Sequence, residues 1–383
     1  MKKVKLFHIA SDFPDHTGMN STKAVANLLS ATERDIDHQT IAYRRIRTSR
    51  FGYEKRDQYG YLQAPSLPLG LLHTFITLLS ALILLRKRGH DVKSVDYIHA
   101  HKLTIDGLLA YFLSKFTGVK YAISVRADTD IKFIKNKPFS RWIFKKVYFN
   151  ASKVFYVSAW GKHDIEKKLK VTKKDFKLLP NIVETPKLIE RKENAIKNTN
   201  SNRFIFIGRM ESARKKGLYD TLEALSTNKN FKLDIYGTAD EESLSNLDSM
   251  TNLYGVSDQV NYCGKISKDE LLEKLSEYCA LVMPSVNETF GMVYVEALYC
   301  NLPIIHCKGS GIDGYVTGVE YIQSVESGNK DQISKSMNYL YRNQEKIKNK
   351  LEYDTKSGFL DVFSTNEISK SYLDSFGPTY EAN

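Results

Sequence analysis

Twice in this chain a short apolar strand runs into a glycine-bearing loop and then a helix, and that repeat limits the fold more than any other feature. The first instance is Val4 to Ala10 (VKLFHIA), a loop from Ser11 to Asn20 containing Gly18, and a helix near Ser21 to Thr32. Strands are predicted next at Gln39–Ala42, Tyr97–Ala100, Tyr121–Val125, Lys153–Ser158 and Lys177–Leu179. Between Glu190 and Asn202 the sequence (ERKENAIKNTNSN) is polar and loses all apolar period. The pattern then restarts with strand Arg203–Ile207, Gly208 and a helix from about Lys216 to Leu225. Strands at Lys232–Tyr236, Gln259–Tyr262, Ala280–Met283 and Pro303–His306 follow, with helices at Lys268–Tyr278 and Met292–Tyr299 between them.

A length of 383 residues exceeds one ordinary core and suits two. The same βα units could close into a single barrel, but the polar break and the restart argue for two α/β domains in series. The boundaries read as residues 1–187 for the first domain, 188–202 for a linker and 203–362 for the second. Residues 363–383 form a tail expected to pack back on the first domain.

Charge is divided unevenly. Residues 1–184 carry 33 Lys and Arg against 16 Asp and Glu, whereas the remainder carries 23 against 28. A half that basic suits an anionic partner, with a surface chosen only for solubility as the alternative. The four cysteines (Cys263, Cys279, Cys300, Cys307) lack zinc-site spacing and are too few for a disulfide framework, so reduced structural thiols are expected, which fits a cytoplasmic protein. Lys5, His8 and Asp12 interrupt the first apolar run too early for a signal peptide. Leu67 to Leu85 (LPLGLLHTFITLLSALILL), followed by Arg86-Lys87-Arg88, is marginal for a spanning helix. Buried crossover helix, interfacial helix and true span are all open for residues 67–88, the first being preferred. The basic-aromatic run Lys132 to Phe149 (KFIKNKPFSRWIFKKVYF) likewise admits an amphipathic packed helix, a nucleic-acid surface or a membrane patch. No nucleic-acid-binding module accompanies it, so an anionic membrane surface is the preferred partner and nucleic acid is not expected.

The densest chemistry lies in Pro284 to Leu298 (PSVNETFGMVYVEAL). A strand ends at Met283, a loop carries Glu288, Thr289, Phe290 and Gly291, and a helix begins at once. The amides of Gly291, Met292 and Val293 would be unpaired at that helix start, a ready anion site. Gly291 removes the Cβ that would hold a phosphate off the backbone. Glu296, more than a turn into an apolar helix, needs hydrogen bonds to be tolerated there, and a ribose diol offers two. Gly208-Arg209 ends one strand and Lys215-Lys216-Gly217 precedes a helix. Arg209 and Lys216 would thus meet at the sheet's carboxyl edge, a planar fork and a mobile point charge suited to a diphosphate. Singly, Glu288 reads as a solvated loop acid and Glu296 as an exposed helix residue. Joined to Phe-Gly and to the two cations, they read as a site.

The pattern F-I-G-R-M, K-K-G, E-x-F-G-x-x-x-x-E-A-L and C-N-L-P-I-I resembles the retaining glycosyltransferases of the GT-B fold, family four, whose Glu-x7-Glu signature is matched by Glu288 and Glu296. Tyr262-Cys263-Gly264, Leu179-Pro180-Asn181-Ile182-Val183 and Gly309-Ser310-Gly311-Ile312-Asp313 extend the likeness over most of residues 150–320. Ile123 to Asp130 is similar to a subgroup acting on bacterial surface polysaccharides. The resemblance implies two Rossmann-like domains facing each other across a cleft. It also implies transfer from a UDP- or GDP-sugar to a glycan or lipid-linked acceptor, on the cytoplasmic membrane face. The nucleotide-sugar is then a substrate, and neither a metal nor another cofactor is expected.

Roles follow position by position from the same resemblance. Arg209 and Lys216 neutralise the diphosphate, Glu288 holds sugar hydroxyls, and Glu296 holds the ribose. Backbone from Thr289 through Phe290, Gly291, Met292 and Val293 holds sugar and phosphate, with Gly208 and Gly264 beside the nucleotide and Gly18 approaching the phosphates from the other domain. Arg126 stands where many members have His; since Arg accepts no proton, it would bind phosphate or acceptor, oriented by Asp128 or Asp130. Asn301 replaces a helix-ending Gly, and Asp313 stands for a frequent Glu. His99 and His101, sharing a strand face, read as core histidines, with an acceptor contact for His101 as the alternative. Asp128-Thr129-Asp130 spells a metal clamp but lies in the acceptor half. Two rivals remain at this stage: a non-catalytic scaffold or regulator of the same fold, and a dinucleotide oxidoreductase, for which the required Gly-x-Gly-x-x-Gly turn is missing. Oligomeric state has no sequence signal.

Overall fold

The computed structural model describes residues 3–11, 13, 23–46, 52–56, 59–65, 92–172, 175–183 and 201–376. Gly18, the segment 67–88 and residues 188–200 of the expected linker lie outside them. Two compact units emerge, one made of residues 1–182 and 365–383, the other of residues 183–364.

The first unit is built on strands β1 (Val4–Ile9), β2 (Ile36–Ile46), β3 (Gly52–Arg56), β4 (Tyr59–Pro65), β5 (Tyr97–Ala100), β6 (Lys120–Val125), β7 (Lys153–Tyr156) and β8 (Lys177–Leu178). Their order is β3-β4-β2-β1-β5-β6-β7-β8. All neighbours are parallel except β3 and β4, an antiparallel pair that sequence reasoning missed. Helices α1 (Ala24–Thr32), α2 (Ile105–Thr117), α3 (Ala127–Asn136), α4 (Arg141–Asn150) and α5 (Gly161–Leu169) accompany this sheet. Alternation along β1 sends Phe7 and Ile9 to one core and Leu6 to another, as a sheet covered on both faces requires.

The second unit contains β9 (Arg203–Ile207), α6 (Leu218–Leu225), β10 (Lys232–Tyr236), α7 (Glu241–Tyr254), β11 (Val260–Gly264), α8 (Lys268–Leu275), β12 (Leu281–Met283), α9 (Met292–Tyr299), β13 (Ile304–Cys307), β14 (Ile322–Val325), α10 (Lys330–Arg342) and α11 (Gln344–Lys356). The fully parallel order β11-β10-β9-β12-β13-β14 reverses direction between β9 and β12. The last helix, α12 (Thr365–Phe376), belongs to the first unit. Ile368, Tyr372 and Phe376 recur every four residues on one face and pack with Leu6, Leu28 and Phe155. Each such burial stabilises the unit by about 1.5–3 kcal/mol.

The basic-aromatic run resolves into α3, α4 and a short 3-10 turn over Pro138–Ser140. Ile143, Phe144, Val147 and Tyr148 face the core. On the opposite side Phe139 (93% exposed), Trp142 (56%) and Phe149 (69%) form a second, solvent-facing stripe, with Lys146 over the Trp142 ring. The run is therefore a packed amphipathic helix with an aromatic outer edge as well. No helix among the described residues is long and apolar enough to cross a membrane.

Candidate active site

Open α/β sheets bind ligands outside the strand carboxyl ends where strand order reverses. In the second unit that point is bordered by the loop after β9, residues 208–217, and the loop after β12, residues 284–291. Gly208 is there for close packing: a Cβ on it would lie 2.5 Å from Cδ of Lys216. Lys216 runs along this glycine and places Nζ 3.2 Å from Oε2 of Glu288, with both side chains about a quarter exposed. Met283 Sδ lies 3.8 Å from the same ammonium. Arg209, one residue past Gly208, is exposed and makes no ion pair among the described residues. Gly237 at the end of β10 permits the tightest approach, since a Cβ there would stand 1.8 Å from the Gly208 carbonyl oxygen. The Gly237 amide donates to the carbonyl of Gly264, the last residue of β11 (2.9 Å).

Glu288 is held from several directions. Its backbone amide donates to Ser310 Oγ (2.7 Å), and that hydroxyl donates to the Ser285 carbonyl (2.6 Å). Its own carbonyl accepts from Gly311 (2.9 Å), and Ser285 Oγ donates to its carboxylate (3.4 Å). The loop 284–291 is thus latched to the glycine loop 309–313, in which Asp313 accepts from the Gly309 amide (2.8 Å).

Gly291 caps α9 with φ of +72°. Its demand for glycine has a cause that sequence reasoning missed. A Cβ there would sit 2.5 Å from two ring atoms of Tyr294, and one on Gly311 would sit 2.8 Å from the same ring. Tyr294 is fully buried, its hydroxyl donates to the Met283 carbonyl (2.5 Å), and burial pushes its ionisation well above the usual phenol range. One aromatic ring therefore joins the end of β12 to both glycine loops. No sequence pattern marked it, because an aromatic in an apolar helix is ordinary. The first turn of α9 carries no acidic residue and no side chain caps it, so the helix-start dipole there suits an anion. Phe290 turns its side chain into the core against Tyr315 and Phe363, leaving only backbone for binding, while the sequence-identified positions Met292 and Val293 are half-buried at the helix start. Thr289 is half-buried in the same loop.

Glu296 pairs with Lys268 at the start of α8 (3.1 Å), a partner the sequence did not suggest. Asn301, in place of a helix-ending glycine, adopts φ of +56°, the conformation Asn tolerates best among ordinary side chains.

Arg126 and Asp128 belong to the first unit. Arg126 is buried, and its Nε donates to the His101 carbonyl (3.0 Å). Asp128 pairs with Lys132 one turn along α3 (3.0 Å). Asp130 is fully buried and accepts from the amides of Leu103, Thr104 and Arg126 and from the Thr104 hydroxyl. It thus ties the ends of β5 and β6 together and touches Arg126 through backbone; burial nonetheless raises its pKa. Cys263, Cys279, Cys300 and Cys307 form no disulfide with one another.

Two parallel-stranded Rossmann-like sheets with helices define a two-domain α/β protein of the GT-B fold. Sucrose-phosphate synthase from Thermosynechococcus elongatus superimposes with a TM-score of 0.73 at 15% identity, covering 98% of each chain. An Anabaena protein, HepE, solved in complex with UDP, gives 0.68 at 13% identity, covering 97% of this chain and 99% of its own. Residues 188–357 match the family described as Glycosyl transferases group 1, so the second unit carries a domain of that family. An uncharacterized glycosyltransferase of Methanocaldococcus jannaschii is 26% identical over 246 residues, 62% of this chain; the match spans 65% of the archaeal protein's length.

Proposed function

We propose that this chain is a glycosyltransferase that moves a sugar from a UDP- or GDP-sugar to a glycan or lipid-linked acceptor. The observation that carries the reading is the reversal point of the second sheet. There Arg209, which makes no ion pair among the described residues, the Lys216–Glu288 pair and the start of α9, with no acidic residue in its first turn, occupy one strand edge. Such a set fits a pyrophosphate flanked by hydroxyls. The acceptor hydroxyl oxygen forms its bond to the anomeric carbon while the bond from that carbon to the diphosphate oxygen breaks, and the hydroxyl's proton passes to the departing diphosphate. Arg209, Lys216 and the α9 amides take up the negative charge growing on the departing diphosphate, an effect of the size that dominates such transfers. Glu288, fixed by Ser310 and Ser285, accepts hydrogen bonds from the sugar, and Glu296 exchanges Lys268 for the ribose hydroxyls. HepE, of like fold, was solved with UDP, which supports a uridine donor.

Retention of configuration, transfer without a metal and Gly18 as a phosphate neighbour follow from the Glu-x7-Glu resemblance, and a place in bacterial surface-polysaccharide synthesis from the likeness of Ile123 to Asp130. Arg126 and Asp128 are assigned to the acceptor side. Attachment to an anionic membrane on the cytoplasmic side is supported by the outer stripe Phe139–Trp142–Phe149 and its lysines. The decisive experiment is Glu288→Gln, assayed for transfer and donor hydrolysis against a panel of nucleotide-sugars, with circular dichroism as the folding control. Loss of turnover by 100-fold or more is expected, on the order of the 3 kcal/mol that one well-placed polar group supplies. Near-normal turnover by a folded variant refutes the assignment.

A further inference from the structure

Four histidines lie together on one face of the first sheet, and the donor chemistry uses none of them. His38 stands on β2, His8 on β1, His99 on β5, and His101 just past its end. His8 and His99 are register partners on adjacent strands. Even positions of β1 share the face that holds Leu6, so the cluster lies beneath α12, against Tyr372.

Hydrogen bonds fix the protons on most of these rings. Thr32 Oγ donates to the Leu28 carbonyl (2.8 Å), so it accepts from Nε2 of His38 (3.0 Å). His38 Nδ1 is then bare and accepts from His8 Nε2 (2.8 Å). Nδ1 of His8 is bare in turn and accepts from His101 Nε2 (3.0 Å). His99 contacts two hydroxyls, Tyr372 through Nδ1 (2.6 Å) and Ser124 through Nε2 (2.9 Å). Each hydroxyl can give or take a proton, so either ring nitrogen of His99 can be freed.

We propose that His8, His99 and His101 form a binding site for one divalent transition-metal ion, Zn2+ foremost, beside the reversal point of the first sheet. One ring nitrogen from each of the three lies within 4.8 Å of the others. Tetrahedral ligands at ordinary Zn–N lengths stand about 3.3 Å apart, so His8 and His101, now 3.0 Å apart, need separate by only a few tenths of an ångström, and a His99 nitrogen, within 4.8 Å of both, has to settle to the same spacing. Burial holds His99 at about 3 and keeps His8 and His101 well below the usual imidazole range, so all three rings are neutral ligands at physiological pH. The orienting partners that metal-bound imidazoles require are already present for two of the three rings. His38 accepts the outer N–H of His8, and a hydroxyl remains for His99. No net proton need leave: the one on His101 Nε2 moves to Nδ1 as the ion enters. Strand order reverses between β1 and β5, and His101 follows β5 at its carboxyl end, the edge from which an ion would enter. Imidazole-only ligands select Zn2+, Co2+, Ni2+ or Cu2+ over Mg2+ and Ca2+. A bound ion would cross-link β1 to β5 and, through His99 and Tyr372, set the seat of α12.

The test uses the untagged full chain, stripped with a chelator and dialysed. Zn2+ is titrated in competition with a chromophoric chelator, and Co2+ is followed by its visible d–d bands. One ion per chain with sub-micromolar Kd is expected, with cobalt bands of a four- or five-coordinate site. At Zn2+ a hundredfold above Kd, the first unit's Tm should rise by about 5–10 °C. His101→Gln should weaken binding at least tenfold and abolish the cobalt bands, while His163→Gln, an exposed histidine elsewhere, should change neither. Failure of the unmodified chain to bind stoichiometrically, or tight binding retained by both His8→Gln and His101→Gln, overturns the proposal. Neither result touches the donor site, which lies in the other unit.

Discussion

Replacing Gly291 by Ala isolates what the helix start of the donor site is made of. Two costs are built into that position. The first is conformational, because φ of +72° is unfavourable for a side chain by about 1–2 kcal/mol. The second is steric, because the added methyl would sit 2.5 Å from Cδ2 and Cε2 of Tyr294 and 3.1 Å from Glu288 Cγ. Tyr294 cannot swing away cheaply, being fully buried with its hydroxyl on the Met283 carbonyl, so overpacking adds about 1–3 kcal/mol. Together they predict a loss of about 2–5 kcal/mol. Gly264→Ala supplies the matched control: its φ is +75°, yet nothing lies within 4 Å of the new methyl. Only the conformational part, about 1–2 kcal/mol, should appear there. Chemical denaturation followed by tryptophan-independent circular dichroism gives both stabilities, and calorimetry separates the two units. The expected difference between the variants is about 1–3 kcal/mol, or a few degrees in Tm for a unit of this size. Equal losses in the two variants would refute the claim that the Tyr294 ring, and not backbone conformation alone, dictates glycine at 291.

Two further outcomes follow from the same geometry. Lys268→Ala releases Glu296 from its ion pair and should strengthen binding of UDP or GDP two- to fivefold by calorimetry, an effect of about 0.5–1 kcal/mol for a pair whose lysine is half-exposed; weaker binding would mean that Lys268 itself holds the nucleotide. Phe139→Ser combined with Trp142→Ser should lower co-flotation with anionic vesicles on the order of 100-fold, since about 3 kcal/mol of aromatic burial is removed. Unchanged flotation would exclude this stripe as a membrane contact.

Much of the second unit was legible because its signals are local. A strand that ends in glycine and turns into a helix must leave amides facing the strand edge, so Gly208 and Gly291 are readable from local pattern, whereas Glu288 and Glu296 stand out only when joined to Phe290-Gly291, the two cations and the family resemblance. The left-handed tolerance of Asn301 was equally local. Partnerships were not. Tyr294 acts across three segments, Ser310 latches a loop 22 residues away, and Lys268 reaches Glu296 from another helix. Nothing in the sequence near each residue encodes its partner, because the pairing depends on which strands lie side by side.

The first unit makes the same division sharper. His99 and His101 could be placed on one strand face by their alternation, and that is as far as a period of two can go. That His8 and His38 lie beside them was decided by strand order, which brings β1 between β2 and β5. The hydroxyl that steadies His99 comes from Tyr372, 273 residues further along, on a helix that returns to the first unit after the whole second unit has been built. The sequence by itself determined periodicity, caps and the two-domain repeat, since these depend on neighbours within a few residues. Only the tertiary structure decided which buried polar groups meet, since a sheet's strand order joins residues that the chain holds far apart.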